Sequence, residues 1–166
     1  MVFSSERGFT LVELLVVIAI IGILTALAIP AYIGQQRSAA RSEAYSNLES
    51  LRLLEEQFFA ENGRYTADLG AGGNTRAVRD ANLALIQDAA NDADIDELRG
   101  FRPGAEANFS YQIVQNSALP NAPAVPFDPN SVVGQTPCFT AIATGLTGSR
   151  VDGDIFAIDC NNSRNF

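Results

Sequence analysis

The chain has 166 residues, enough for one domain, and its 11 basic and 19 acidic residues give a net charge of −8. Every basic residue is Arg and there is no His, which excludes histidine-based catalysis and a histidine zinc site. The acidic balance argues against non-specific nucleic-acid binding by the soluble part, and no specific nucleic acid is inferred. The chain opens with a short polar leader, residues 1–8, ending in Arg7-Gly8. From Phe9 to Ile29 there follow 21 residues in which Glu13 is the only charge. As a helix that run is roughly 31 Å long, the thickness of a bilayer's hydrocarbon core. A secretory signal places its cleavage site beyond the apolar region. Here the cleavable-looking part precedes it, so the apolar run is expected to stay on the mature chain. A carboxylate inside such a run costs about 2.5–3.5 kcal/mol at the membrane centre and less near an end. Glu13 is therefore a functional candidate with a partner elsewhere.

Past Pro30 the helical pattern resumes with a different character. Ala44, Leu48, Leu51, Leu54, Phe58 and Phe59 recur at three- and four-residue spacing, while Arg41, Glu49, Arg52, Glu56 and Glu61 fill the other side. Asn62-Gly63 is a plausible stop. One helix is expected from Phe9 to about Glu61, apolar first and amphipathic later. Pro30 removes a backbone donor and Gly22 costs about 1 kcal/mol against Ala, so both are expected to soften it. Aromatics along this helix read as packing rather than as a conduction path.

A loop at Gly70–Asn74 leads to a helix expected over Arg76–Ala90, with Val78, Leu85, Ile86 and Ala89 on one face. The acidic run from Asp92 to Glu97 begins like a calcium loop but has Glu97 where the glycine belongs and Pro103 at the twelfth position, so it reads as solvated. Phe109–Ile113 alternates as a strand ending near Asn116. Ser117–Pro137 carries five prolines and reads as an ordered connection. Cys138–Thr144 and Asp154–Cys160 read as two strands around a turn at Gly145–Gly153. The two cysteines, if that part is exported, are expected to form one disulfide, Cys138–Cys160. Setting them opposite each other predicts Ile142 against Phe156 and Thr140 against Ile158. Asp152, Asp154 and Asp159 near this turn could gather oxygen ligands, but a turn explains them without metal; no metal or other cofactor is expected.

The residues Gly8-Phe9-Thr10-Leu11-Val12-Glu13-Leu14-Leu15, continuing apolar to Leu24, resemble the class III signal of type IV pilins and pseudopilins. The resemblance covers roughly Gly8 to Tyr65, and Gly22 and Pro30 fall where that family commonly has glycine and proline. It implies cleavage between Gly8 and Phe9 by a prepilin peptidase, followed by N-methylation of Phe9. Glu13 then pairs with the Phe9 amine of the same or a neighbouring subunit during assembly. It also implies a leader on the cytoplasmic side, a subunit held in inner-membrane lipid, and final residence in a surface fibre. An assembly platform and an ATPase are the implied machinery, since the chain has no nucleotide-binding motif.

The expected fold is α+β: a long N-terminal helix packed on a small C-terminal antiparallel sheet, the type IV pilin fold. The expected organisation is leader 1–8, membrane half of the helix 9–29, amphipathic half 30–65 and globular head 66–166. With no nucleophile–base pair, phosphate loop or CxxC motif, an enzyme is not expected. The expected role is the structural subunit, or major pilin, of a helical homopolymer. The alternatives are a major pseudopilin of type II secretion, a minor pilin, or, from a different class, a membrane-anchored binding module.

Overall fold

The computed structural model describes residues 8–87, 97–104, 107–115 and 138–166. The chain divides into two compact units, Met1–Ser38 and Ala39–Phe166. The proline-bearing connection at 117–137 and most of the acidic run lie outside the described residues.

Helix α1 spans Leu11–Asn62 and is assigned without a break across Pro30. Within the first unit it buries nothing: the large apolar side chains from Leu11 to Ile33 are 46–74% exposed. Its end is where the sequence predicts. Gly63 adopts φ +70°, its N–H donates to the Phe59 carbonyl at 2.7 Å, and the Asn62 side-chain amide donates to the Phe58 carbonyl. A residue with a Cβ resists that left-handed cap.

In the second unit α1 buries Ala40, Ala44, Leu48, Leu51 and Glu55, at helical spacing. Helix α2 follows at Arg76–Gln87, then strands β1 (Phe109–Gln115), β2 (Phe139–Gly145) and β3 (Ile155–Asp159). The strands form one antiparallel sheet in the order β1-β2-β3. One face carries Phe109, Tyr111, Ile113, Phe139, Ala141, Ala143, Phe156 and Ile158, all in one apolar cluster with the buried side of α1. The expected α+β architecture is therefore present. Alanines at 40 and 44 on the helix and at 141 and 143 on the central strand leave room for large side chains on the flanking strands.

The register differs from the expected one by a single residue. Thr140 lies opposite Asp159, Ala141 opposite Ile158 and Ala143 opposite Phe156, while Ile142 faces Ala157. Ile142 and Phe156 thus sit on opposite faces, and Ile142 joins a second small cluster with Ala157, Val114 and Ile155. The reason is that β2 is buried along both faces from Phe139 to Ala143, so alternation alone does not select which set meets the helix. A small-opposite-large pairing then wins on the helix side.

Helix α2 begins at Arg76 as expected and runs to Gln87, residues 88–90 lying outside the described set; Leu85, expected on its apolar face, is 38% exposed. Its buried side carries Ile86 and Asn82. Asn82 is satisfied: its Nδ2 donates to the Ala71 and Tyr111 carbonyls at 2.9 Å each, and its Oδ1 accepts from the Ala71 N–H at 2.8 Å. A buried amide with such partners costs little. Glu55, fully buried, accepts from the Thr66 N–H at 3.1 Å and from the Thr66 hydroxyl, fastening the end of α1 to the chain that follows.

Gly145 closes β2 where the backbone of the turn folds back on it. A Cβ there would lie 1.9 Å from the Val151 carbonyl oxygen and 3.3 Å from that of Asp154. Backbone cannot give way as a flexible side chain can, so Gly145→Ala should destabilise the head by about 3 kcal/mol or more. A thermal melt of the full chain in detergent micelles checks this; an unchanged midpoint contradicts it.

Candidate assembly site

The residues singled out at the N-terminus sit at the start of α1. Thr10 is the residue before the first helical turn, and its hydroxyl accepts from the Glu13 N–H at 3.2 Å. The Glu13 carboxylate reaches back, accepting from the Thr10 N–H and the Thr10 hydroxyl at 2.9 Å each. This is a reciprocal capping box, two orphan donors satisfied by two side chains. Its signature, Thr-x-x-Glu before an apolar run, is present in the sequence, so Thr10 was findable as Glu13's nearest partner. A carboxylate in the first turn also meets the positive end of the helix dipole.

Phe9 precedes the cap and is 85% exposed. Gly8 has open space where a Cβ would be. With Gly8 before it, the nitrogen of Phe9 is a peptide nitrogen, and the capping box holds the Glu13 carboxylate at the helix end. Gly22 has no neighbour within 4 Å, and the Thr25 hydroxyl donates to the Ile21 and Gly22 carbonyls at 2.9 and 3.0 Å. Pro30 leaves the Ala26 carbonyl without its helical donor.

In the head, Cys138 and Cys160 form a disulfide with their Cα atoms 5.5 Å apart. It joins the residue before β2 to the residue after β3. The acidic residues near the turn do not converge on a common point. Asp154 takes a bidentate ion pair from Arg41, Nε to Oδ2 and Nη2 to Oδ1 at 2.8 Å each. Asp159 accepts from the backbone N–H groups of Asn161 and Ser163, and Asp152 from that of Gly148. Among the described residues no cluster of three metal-ligating side chains forms. The Arg41–Asp154 pair spans 113 residues, and no local pattern announces it.

The prokaryotic N-terminal methylation motif matches residues 3–29. The type IV major pilin protein PilA of Myxococcus xanthus is 36% identical over 137 residues, covering 78% of this chain and 62% of that protein. The fimbrial protein EcpC of Eikenella corrodens is 38% identical over 73 residues, 44% of this chain and 48% of that protein. The type II secretion system core protein G of Pectobacterium carotovorum is 40% identical over 60 residues, 36% of this chain and 38% of that protein. The chain thus spans under two thirds of the length of each of these relatives. No solved structure matches it. Relatives of both kinds, pilins and pseudopilins, thus align with a chain whose methylation motif runs into a long helix, and it is to these that the chain is similar.

Proposed function

We propose that this chain is the precursor of a major pilin, cut between Gly8 and Phe9, methylated on Phe9 and polymerised from the membrane into a surface filament. The observation that carries the reading is the exposed apolar surface of α1 from Leu11 to Ile33. Before assembly lipid covers it; α1 has an apolar stretch of the length and composition that cross a membrane. Outside lipid, other copies of the same helix offer a matching surface. Helices leaving lipid gain mainly by packing on one another, and a single carboxylate per helix then selects register. In this reading Gly22 and Pro30 let the helix bend as it moves from lipid to fibre. Work for extraction comes from an ATPase acting through a membrane platform. The globular head faces the exterior, where its disulfide is stable.

The pseudopilin reading draws on the match to core protein G, which covers 36% of this chain. The PilA match covers 78% and has to run well into the head, which favours the pilin. The proposal is tested at its first step. Gly8→Val puts a branched side chain where the peptidase must close on bare backbone, so the precursor should accumulate uncut in the membrane fraction. Intact-mass analysis showing wild-type processing of that variant contradicts the cleavage assignment.

A further inference from the structure

A small sheet has two edges, and each exposed edge is a template for pairing with another chain. The β1 edge is covered from within the fold. The Leu69 and Ile113 backbones exchange N–H···O bonds at 2.9 and 2.8 Å, the Gln115 N–H donates to Asp68, and Asn82 donates to the Tyr111 carbonyl.

The β3 edge is covered by residues 162–166. Asp154 and Cys160 bond across to β2, through the Gly145 N–H and the Phe139 carbonyl. By alternation Ile155, Ala157 and Asp159 therefore turn their backbone groups outward. From the Ile155 carbonyl to the Asp159 carbonyl, each outward group has a partner in that segment. The Asn165 side-chain amide does the work of a strand residue. Its Nδ2 donates to the Ile155 carbonyl at 3.0 Å, and its Oδ1 accepts from the Ala157 N–H at 2.8 Å. The Asn165 N–H reaches the Ala157 carbonyl at 3.4 Å, the Asp159 N–H donates to the Ser163 carbonyl at 3.1 Å, and the Asn162 N–H donates to the Asp159 carbonyl at 3.0 Å. Two anchors hold the segment on α1. The Phe166 ring stacks on Tyr45, centroids 4.4 Å apart and 4° from parallel, and Arg164 pairs with Glu49 at 2.6 Å.

We infer that residues 162–166 are a strap that closes the β3 edge against pairing with the same edge of a second copy. The inference stands apart from the filament proposal, since it concerns only the head's own sheet. The occupant that the strap excludes is a second β3. That strand is short and apolar on both faces, Ile155 and Ala157 on one side and Phe156 and Ile158 on the other, and carries no charge before Asp159. Such an edge lacks the charges and prolines that otherwise prevent pairing.

The test is residue-resolved amide exchange on the full chain in detergent micelles, dilute and then concentrated. Asn165→Ala keeps the Phe166 and Arg164 anchors; a second variant, Arg164→Ala/Phe166→Ala, removes the anchors and keeps Asn165. In the dilute sample both should lower protection of the Ala157 and Asp159 amides by tenfold or more. The Phe156 and Ile158 amides, which face β2, should be unchanged. On concentration the variants should form dimers and Ala157 and Asp159 should regain protection, while the wild type keeps one state throughout. Unchanged protection at Ala157 and Asp159 overturns the inference. So does loss without dimers, which makes the segment a cover but not a guard. An equal loss at Phe156 and Ile158 also overturns it, because the segment then holds the sheet itself together.

Discussion

Glu13→Ala should leave the chain in the membrane and lower fibre yield by more than tenfold. Removing a charge from an apolar run makes insertion easier. Assembly loses a pair of unit charges that, at 4 Å and an effective dielectric near 20, gains about 4 kcal/mol before desolvation is subtracted. A net 1.4 kcal/mol per subunit is already a factor of ten in an equilibrium constant. The capping box supplies a rival explanation, because Glu13 also satisfies the Thr10 N–H at 2.9 Å and its loss frays the first turn by about 1 kcal/mol. Glu13→Gln separates the two. Glutamine suits the third helical position of a capping box but carries no charge. If charge pairing with the Phe9 amine governs assembly, the glutamine variant also loses fibre; if the cap governs it, glutamine restores fibre. Thr10→Ala completes the comparison, weakening the cap while leaving the charge. Quantifying pilin in sheared and cell-bound fractions reads out all three, and wild-type fibre from Glu13→Ala contradicts the register role.

The second large effect is expected from the disulfide. Replacing Cys138 and Cys160 by Ser opens a loop of 22 residues, worth about 3 kcal/mol in the chain-entropy model. That is a large part of the 5–15 kcal/mol typical of a domain. The loss should not be uniform. Cys160 stands between β3 and the strap, and β3 has its other fastening at Asp154, held by Arg41. With the covalent tie gone, residues from Ile155 onward should gain exchange first, while Leu48, Leu51 and the end of α1 stay protected. Uniform loss across the head, or an unchanged melting midpoint, contradicts this order.

The elements themselves are legible in the sequence, because their signals are local. A 21-residue apolar run, an amphipathic continuation and Asn62-Gly63 yield α1 to within two residues at its start and one at its end. Alternation yields β1, and two short apolar runs around a glycine-rich turn yield β2 and β3 to within one residue. The cysteine pairing follows from there being two cysteines in one strand pair. What is not legible depends on contacts between distant residues. The β2–β3 register slips by one because both faces of β2 are buried, which removes the polar–apolar contrast that identifies a face. Asn82 and Glu55 look like surface residues by type; only the backbone groups they meet, at Tyr111 and Thr66, make burial tolerable. Asp154 reads only as part of a turn beside Asp152; its ion pair with Arg41 from the helix has no local signal. Asn165 has no sequence signal at all, since a side-chain amide standing in for a strand is visible only in three dimensions.

The N-terminal site divides in the same way. Gly8, Phe9 and Glu13 form a motif readable at a glance, and the capping box adds Thr10 by a rule of spacing. The proposed partner of Glu13, the Phe9 amine of the same or a neighbouring subunit, is formed only if the chain is cut, so the proposal has to be tested on the fibre. Fibres sheared from cells expressing this protein should therefore be analysed by intact-mass and N-terminal peptide mass spectrometry. The account predicts that this chain is the principal protein in them, beginning at Phe9 with a methylated amine and with Cys138 linked to Cys160. Fibres that lack the chain, or that contain it still beginning at Met1, contradict it.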